Sequence, residues 1–284
     1  MRPYLLMLGG ALSFAIMGTL AHAAGERCEW QLVALARSSV AMLLALILTR
    51  IGRARLVVLR PPVLWLRSLA GSASVVCNFY ALAHLPVADA LTLINMFPVW
   101  IAVLSWPLLG QMPARDVWFS VICCMAGVLV MYQPGVAGGA GTIAGVIGSV
   151  TSAVALIGLH KLKGIDPNAI VVHFSAVSVV TLICLIVIQP LSPQSVALLV
   201  EGTTLPMLLL GTGLAAGTGQ LLLTRAFATG APARVSIVSL TQVVFAMGFD
   251  QLIWGRHFSV QSLFGMVLVL APTGWMILQR SGGR

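Results

Sequence analysis

The chain has 284 residues, 59% of them hydrophobic and 8% charged, where soluble domains carry about a quarter charged residues. So few charges exclude a water-soluble fold of this size and make lipid the solvent for most of the surface. The net charge of +9 does not point to nucleic acid, because Lys and Arg sit in gaps between apolar runs and form no basic face with interleaved aromatics.

Ten apolar runs follow one another at about 3–23, 31–51, 62–84, 87–110, 116–133, 140–160, 168–189, 205–227, 232–254 and 259–279. Each is near the roughly 20 residues a helix needs to cross a bilayer. They are too long and too evenly apolar for barrel strands, so an all-α membrane protein is expected. The first run starts at Met1-Arg2 and ends in Ala21-His22-Ala23, which is similar to a secretory signal with an A-x-A site. Its length, and the span that follows at once, favour a retained helix. The second run carries Arg37 and the third Arg67 near its start, then Ser72, Ser74 and Tyr80. In the fourth, Asn95 stands three residues before Pro98, whose missing N–H kinks a helix and frees a carbonyl, and Trp100 follows. The sixth holds Gly141, Gly145 and Gly148 at spacings that suit close helix contact, with Ser149, Thr151 and Ser152. His173 lies in the seventh run, Gly213, Gly217, Thr218 and Gln220 in the eighth, and Thr241, Gln242 and Asp250 in the ninth.

With the N-terminus inside, the inner side of ten spans receives Arg2, Arg50, Arg53, Arg55, Arg60, Arg115, Lys161, Lys163, Arg225, Arg234, Arg280 and Arg284. The outer side receives Arg27 and Arg256. This bias of positive residues predicts that both chain ends are cytoplasmic, in a bacterial inner membrane.

The chain also resembles itself. At a shift of 136, Gly9 meets Gly145, Ser13 meets Ser149, and Arg37 falls on His173. From the third span the shift is 145, so Ala81 meets Ala226 and Gly110 meets Gly255. The loop at 190–204 supplies the difference. Residues 1–135 and 136–284 are therefore expected to form two five-helix repeats, and an odd number of spans inverts one against the other. Inverted repeats can exchange conformations and open a midplane site to each side in turn.

The stretch LRSLAGSASVVCNFYALAHLPVADALTLINMFPVWIAVLSWPLLG (66–110) resembles a half-repeat of the drug/metabolite transporter superfamily, EamA type. GQLLLTRAFATGAPARVSIVSLTQVVFAMGFDQLIWG (219–255) is similar to the matching part of the second half, and Arg37 matches an arginine that family often carries in its second span. The resemblance implies ten helices with both ends inside, and transport, commonly outward, of small organic metabolites. Family members often place a Glu after the glycine ending the fourth and ninth spans. Here Gln111 and Arg256 stand there, so a proton-coupling role for those glutamates does not carry over.

Polar side chains near mid-span come from spans one, three, four, six, eight and nine. The candidate solute site centres on Asn95, Gln220 and Gln242, with Tyr80 and Trp100 as walls and Ser13, Thr151, Thr241 and Arg37 as further substrate-binding candidates. Asn and Gln at depth are as readily helix-to-helix hydrogen bonds, and Arg37 is as readily a snorkelling or capping residue as a ligand for a carboxylate or phosphate. No metal ligand set, cofactor motif or paired cysteine framework is read. The expected partners are a small-molecule solute and the bilayer, with self-association into a homodimer left open. A flippase for a lipid-linked or amphiphilic substrate is the alternative. A membrane-embedded enzyme is disfavoured, because seven acids with none clustered at depth offer no catalytic constellation.

Overall fold

A backbone amide in hydrocarbon has no water to bond, so a lipid-embedded chain must satisfy its amides within helices. The structure, a computed structural model, describes residues 1–59, 61–135, 139–255 and 259–279, and among them helices alone form regular structure. These are α1 (Arg2–Gly25), α2 (Trp30–Ile51), α3 (Pro62–His84), α4 (Val87–Ile94), α5 (Phe97–Leu109), α6 (Arg115–Tyr132) and α7 (Ala140–Lys161). They continue as α8 (Pro167–Ile188), α9 (Pro193–Glu201), α10 (Thr204–Thr229), α11 (Pro232–Ser239), α12 (Thr241–Trp254) and α13 (Val260–Gln279). Arg60, Arg256, Arg280 and Arg284 of the charge pattern lie outside the described residues.

Among the described residues nine stretches are long and apolar enough to cross a membrane, two of them made of paired helices, α4 with α5 and α11 with α12. Helix α3 has 23 residues but is less apolar, since Arg67, Ser68, Ser72, Ser74 and Asn78 lie along it. The segment expected as a plain loop at 190–204 contains α9. Ser192 starts α9 by accepting a hydrogen bond from the Ser195 amide at 3.2 Å, and Pro193 supplies a φ suited to the first turn.

Packing follows a regular scheme. Helix α1 lies along α10, and α3 along α7. Helix α2 packs on α8, and α6 on α13. The broken span α11/α12 rests on α1, while α4/α5 rests on α7. Small residues make these approaches close, as lipid-facing helices require. A Cβ on Gly127 of α6 would stand 2.7 Å from the Gly265 carbonyl of α13, and a Cβ on Gly265 would stand 2.8 Å from the Gly127 carbonyl. Gly217 of α10 approaches the Ala41 Cα of α2 in the same way, and Gly213 meets Val40. Gly141, Gly145 and Gly148 turn α7 against Leu85, Leu93 and Asn78.

The segmentation of the third and fourth spans recurs later in the chain. The end of α3 is closed by the Leu85 amide on the Ala81 carbonyl, and that of α10 by Gly230 on Ala226, 145 positions on. Residues 87–94 form α4 and residues 232–239 form α11, again 145 apart. Gly110 and Gly255 end α5 and α12 with φ of 67° and 64°, left-handed conformations that favour glycine. Their amides bond Trp106 and Gln251 respectively, again 145 apart.

Candidate functional site

Ser68 and Ser72 lie one turn apart on one face of α3, and Ser74 and Asn78 one turn apart on another. Ser68 Oγ bonds Nδ1 of His173 on α8 at 2.8 Å, and Ser72 Oγ meets Ser178 Oγ on α8 at 2.9 Å. Ser74 bonds Ser152 of α7, and Asn78 Nδ2 donates to Ser74 at 3.2 Å. His173 Nε2 is 3.1 Å from the Val58 carbonyl, which only accepts, so Nε2 carries the hydrogen and Nδ1 takes the one from Ser68. Trp100 Nε1 donates to Ser149 Oγ at 3.0 Å, joining α5 to α7. This polar seam holds helices together.

Beside the seam lie two arginines. Arg67 is 2% exposed. Its sequence position, five residues into α3, predicts an interfacial side chain; the structure instead buries it. Gly71, one turn later, and Gly158 of α7 make the slot: a Cβ at Gly71 would fall 2.5 Å from Arg67 Nη1, and one at Gly158 would fall 3.2 Å from Arg67 Cβ. The guanidinium carbon stands 4.1 Å over the Phe174 ring. Arg67 Nε and Nη1 are buried without a hydrogen-bond partner, as is Nε of Arg37. The Arg37 guanidinium carbon is 5.9 Å from the Phe79 ring centroid. Arg37 also lines a cavity of about 10 Å³ with Ser38, Ala41, Phe174, Ser175, Ala216 and Gln220. That volume holds about one water.

Of the sequence-derived candidates, Arg37 and Gln220 thus share one cavity. Asn95 sits at the break between α4 and α5, 5% exposed, and its Nδ2 donates to the Leu91 carbonyl at 2.7 Å. Thr241 and Gln242 open α12 just after the second break at Leu240, and Thr241 Oγ1 donates to the Val238 carbonyl at 2.8 Å. Ser13 donates to Gly9 at 3.0 Å, and Thr151 to Ile147 at 2.7 Å. Tyr80 lies toward the end of α3, stacked on His84 with ring centroids 3.9 Å apart and edge-on to Trp30 at 6.0 Å. Arg67, missed at the sequence level, could have been found from the small residues Ser68 and Gly71 beside it, which leave an inward path for a long side chain.

Charged groups elsewhere tie segments together. Arg234 at the start of α11 pairs with Asp116 of α6 at 3.1 Å, and Asp89 accepts the Gly135 amide at 2.6 Å. Glu29, just before α2, accepts the Ser192 amide at 3.1 Å. Partial burial would raise its carboxyl, but hydrogen bonds from Ser192 and Ser195 outweigh that and hold it at about 2, below its ordinary 4.5. Burial, with Glu29 beside it, pushes the neighbouring Cys28 thiol up to about 11. Among the described residues no three His, Cys, Asp or Glu side chains gather as a metal site.

Residues 1–133 match the EamA-like transporter family. Two pseudopaline exporters, CntI of Pseudomonas aeruginosa strains UCBPP-PA14 and PAO1, are each 28% identical over 269 residues, covering 94% of this chain and 92% of the relative. A solved crystal structure of a protein 14% identical superposes with a TM-score of 0.82 over 99% of both chains, which shows a shared fold. The family and these relatives are transporters. The chain is a multi-pass membrane protein whose first half matches the EamA-like transporters and which is similar over nearly its whole length to two exporters.

Proposed function

We propose that this protein is a secondary transporter that exports a small organic metabolite across a bacterial inner membrane. It has ten spans, with α3 as the tenth, arranged as two inverted five-helix halves, 1–135 and 136–284, and both chain ends are cytoplasmic. The observation that carries this reading is the pair of interrupted spans, α4/α5 and α11/α12, at corresponding places in the two halves. Interrupted segments so related mark the solute site in transporters built from inverted repeats. The exchanged pairings support it: α1 with α10 mirrors α7 with α3, and α2–α8 and α6–α13 each pair a helix with its own counterpart. A rocking motion that swaps the two halves' conformations then opens the site to each side in turn. The solute meets Asn95 and Gln242 at the two breaks and Gln220 with Arg37 between them, while Tyr80, Trp100, Ser13, Thr151 and Thr241 shape the approaches. The outward direction rests on the two pseudopaline exporters, similar over nearly the whole chain.

The test starts with a thermal-shift panel of amino acids, amines, carboxylates and nucleosides on purified protein, since a ligand of the folded form raises apparent stability by mass action. Flux of each stabilising solute is then measured in proteoliposomes. Gln242→Leu is expected to abolish flux with unchanged folding; unchanged flux removes that residue from the site. A panel in which no solute is carried faster than by empty liposomes ends the carrier reading.

A further inference from the structure

Burying an arginine is costly, and buried ones are ordinarily paired with a carboxylate. At bundle depth the cost is greater still. Neither Arg67 nor Arg37 pairs with a carboxylate among the described residues: of the acids there, Glu26, Glu29, Asp89, Asp116 and Asp166 meet His22, Ser192, Gly135, Arg234 and Asn168 instead. The Phe174 and Phe79 rings attract the two cations but accept none of their in-plane N–H groups. The two guanidiniums belong to one locale, because Phe174 both stacks on Arg67 and lines the cavity that Arg37 lines. That cavity lies near the middle of its helices, beside Ala41 of α2 and Ala216 of α10. Ser38, Ser175 and Gln220 add polar groups to its wall, and no acid does.

We infer that Arg37 and Arg67 form the receptor for an organic dianion, a dicarboxylate in the first instance, as the solute of the site described under the proposed function. The inference rests on that reading and deepens it by naming the solute's charge. Two cations call for two negative charges. The planar guanidinium fork fits a carboxylate with two parallel hydrogen bonds, and each fork here has at least one buried N–H to give. The cavity in this conformation takes one water, so admission of the anion goes with separation of α2 from α10, whose contact is made at Gly213 and Gly217. Asn95 and Gln242 then read the remaining polar parts of the solute.

The test uses the full chain in detergent, with thermal unfolding followed against succinate, malate, inorganic phosphate and putrescine at matched ionic strength. A saturable rise of about 3–6 °C with the dicarboxylates, and none with putrescine, is the expected result. R37Q and R67Q should weaken that response at least tenfold, and R67K should restore part of it. If R67Q does not fold, R37Q and the wild-type titration decide. A rise that survives R37Q unchanged is general salt stabilisation and overturns the receptor, as does a wild type that no anion stabilises. In that second case, flux of an amine or neutral solute in the same preparation leaves the carrier standing, whereas absence of any flux removes both readings.

Discussion

The two broken spans have the same outline and different chemistry. In α4/α5 the break follows Asn95, whose side chain occupies the Leu91 carbonyl, and Pro98 withholds the amide that would otherwise bond Ile94. In α11/α12 the residue corresponding to Pro98 is Val243, which has its amide and bonds Leu240 three residues back at 3.1 Å. Hydroxyls do the bending there: Ser236 donates to Ala233 at 2.9 Å, Ser239 to Ser236, and Thr241 to Val238 at 2.8 Å. Side-chain oxygens that bond carbonyls three residues back tighten and bend a helix. The break thus belongs to the position in the bundle, against α7 in one half and α1 in the other, and each half reaches it with the residues it has.

The sharpest way to break this comparison is Pro98→Ala. It restores a donor to the first break and favours a continuous helix by about one hydrogen bond, so flux in proteoliposomes should fall about tenfold while the melting temperature rises. The triple change S236A/S239A/T241A should straighten the second break less, with flux lower by about threefold. Equal effects of the two would mean that proline and hydroxyls are interchangeable here. Next in size are G110A and G255A, each forcing a Cβ into a left-handed turn; each should cost about 1 kcal/mol, and the two costs should match in denaturation experiments. Glu29 tests where the halves differ, since it ties α2 to α9, a helix with no counterpart among the described residues between α2 and α3. Its folded-state pKa lies below its unfolded one, so its contribution is present above about pH 4.5 and is lost as pH falls toward about 2. E29Q should therefore lower the melting temperature by about 1–2 °C at pH 7, and the gap should close on acidification.

Helix class, span positions and the offset of 145 were legible because they depend on long apolar runs and on glycines such as Gly110 and Gly255 that sit at fixed turns. The kink at Pro98 was legible from its missing donor, whereas its counterpart at Leu240 was not, because Ser and Thr bend a helix only through bonds that depend on neighbouring geometry. Arg37 stood out by its distance from a span end. Arg67 did not, since five residues from an end reads as interfacial until Gly71 and Gly158 are seen to open an inward slot. Which of the polar residues bond helices and which face the cavity is a matter of rotation about each helix axis, and Ser74, spent on Ser152, could not be told from Gln220, on the cavity wall, by spacing alone.

The polar seam on α3 also bears on how the chain enters the bilayer. Insertion machinery judges each segment largely by its own apolarity, and an arginine lowers that score most at a helix centre and less toward an end, where Arg67 lies. The groups that satisfy α3, Ser152 on α7 and His173 and Ser178 on α8, are synthesised 78, 105 and 106 residues after their partners. While the ribosome is making that stretch, the serines of α3 have no mates among later helices. Assembly of the second half is what completes the membrane seat of the first.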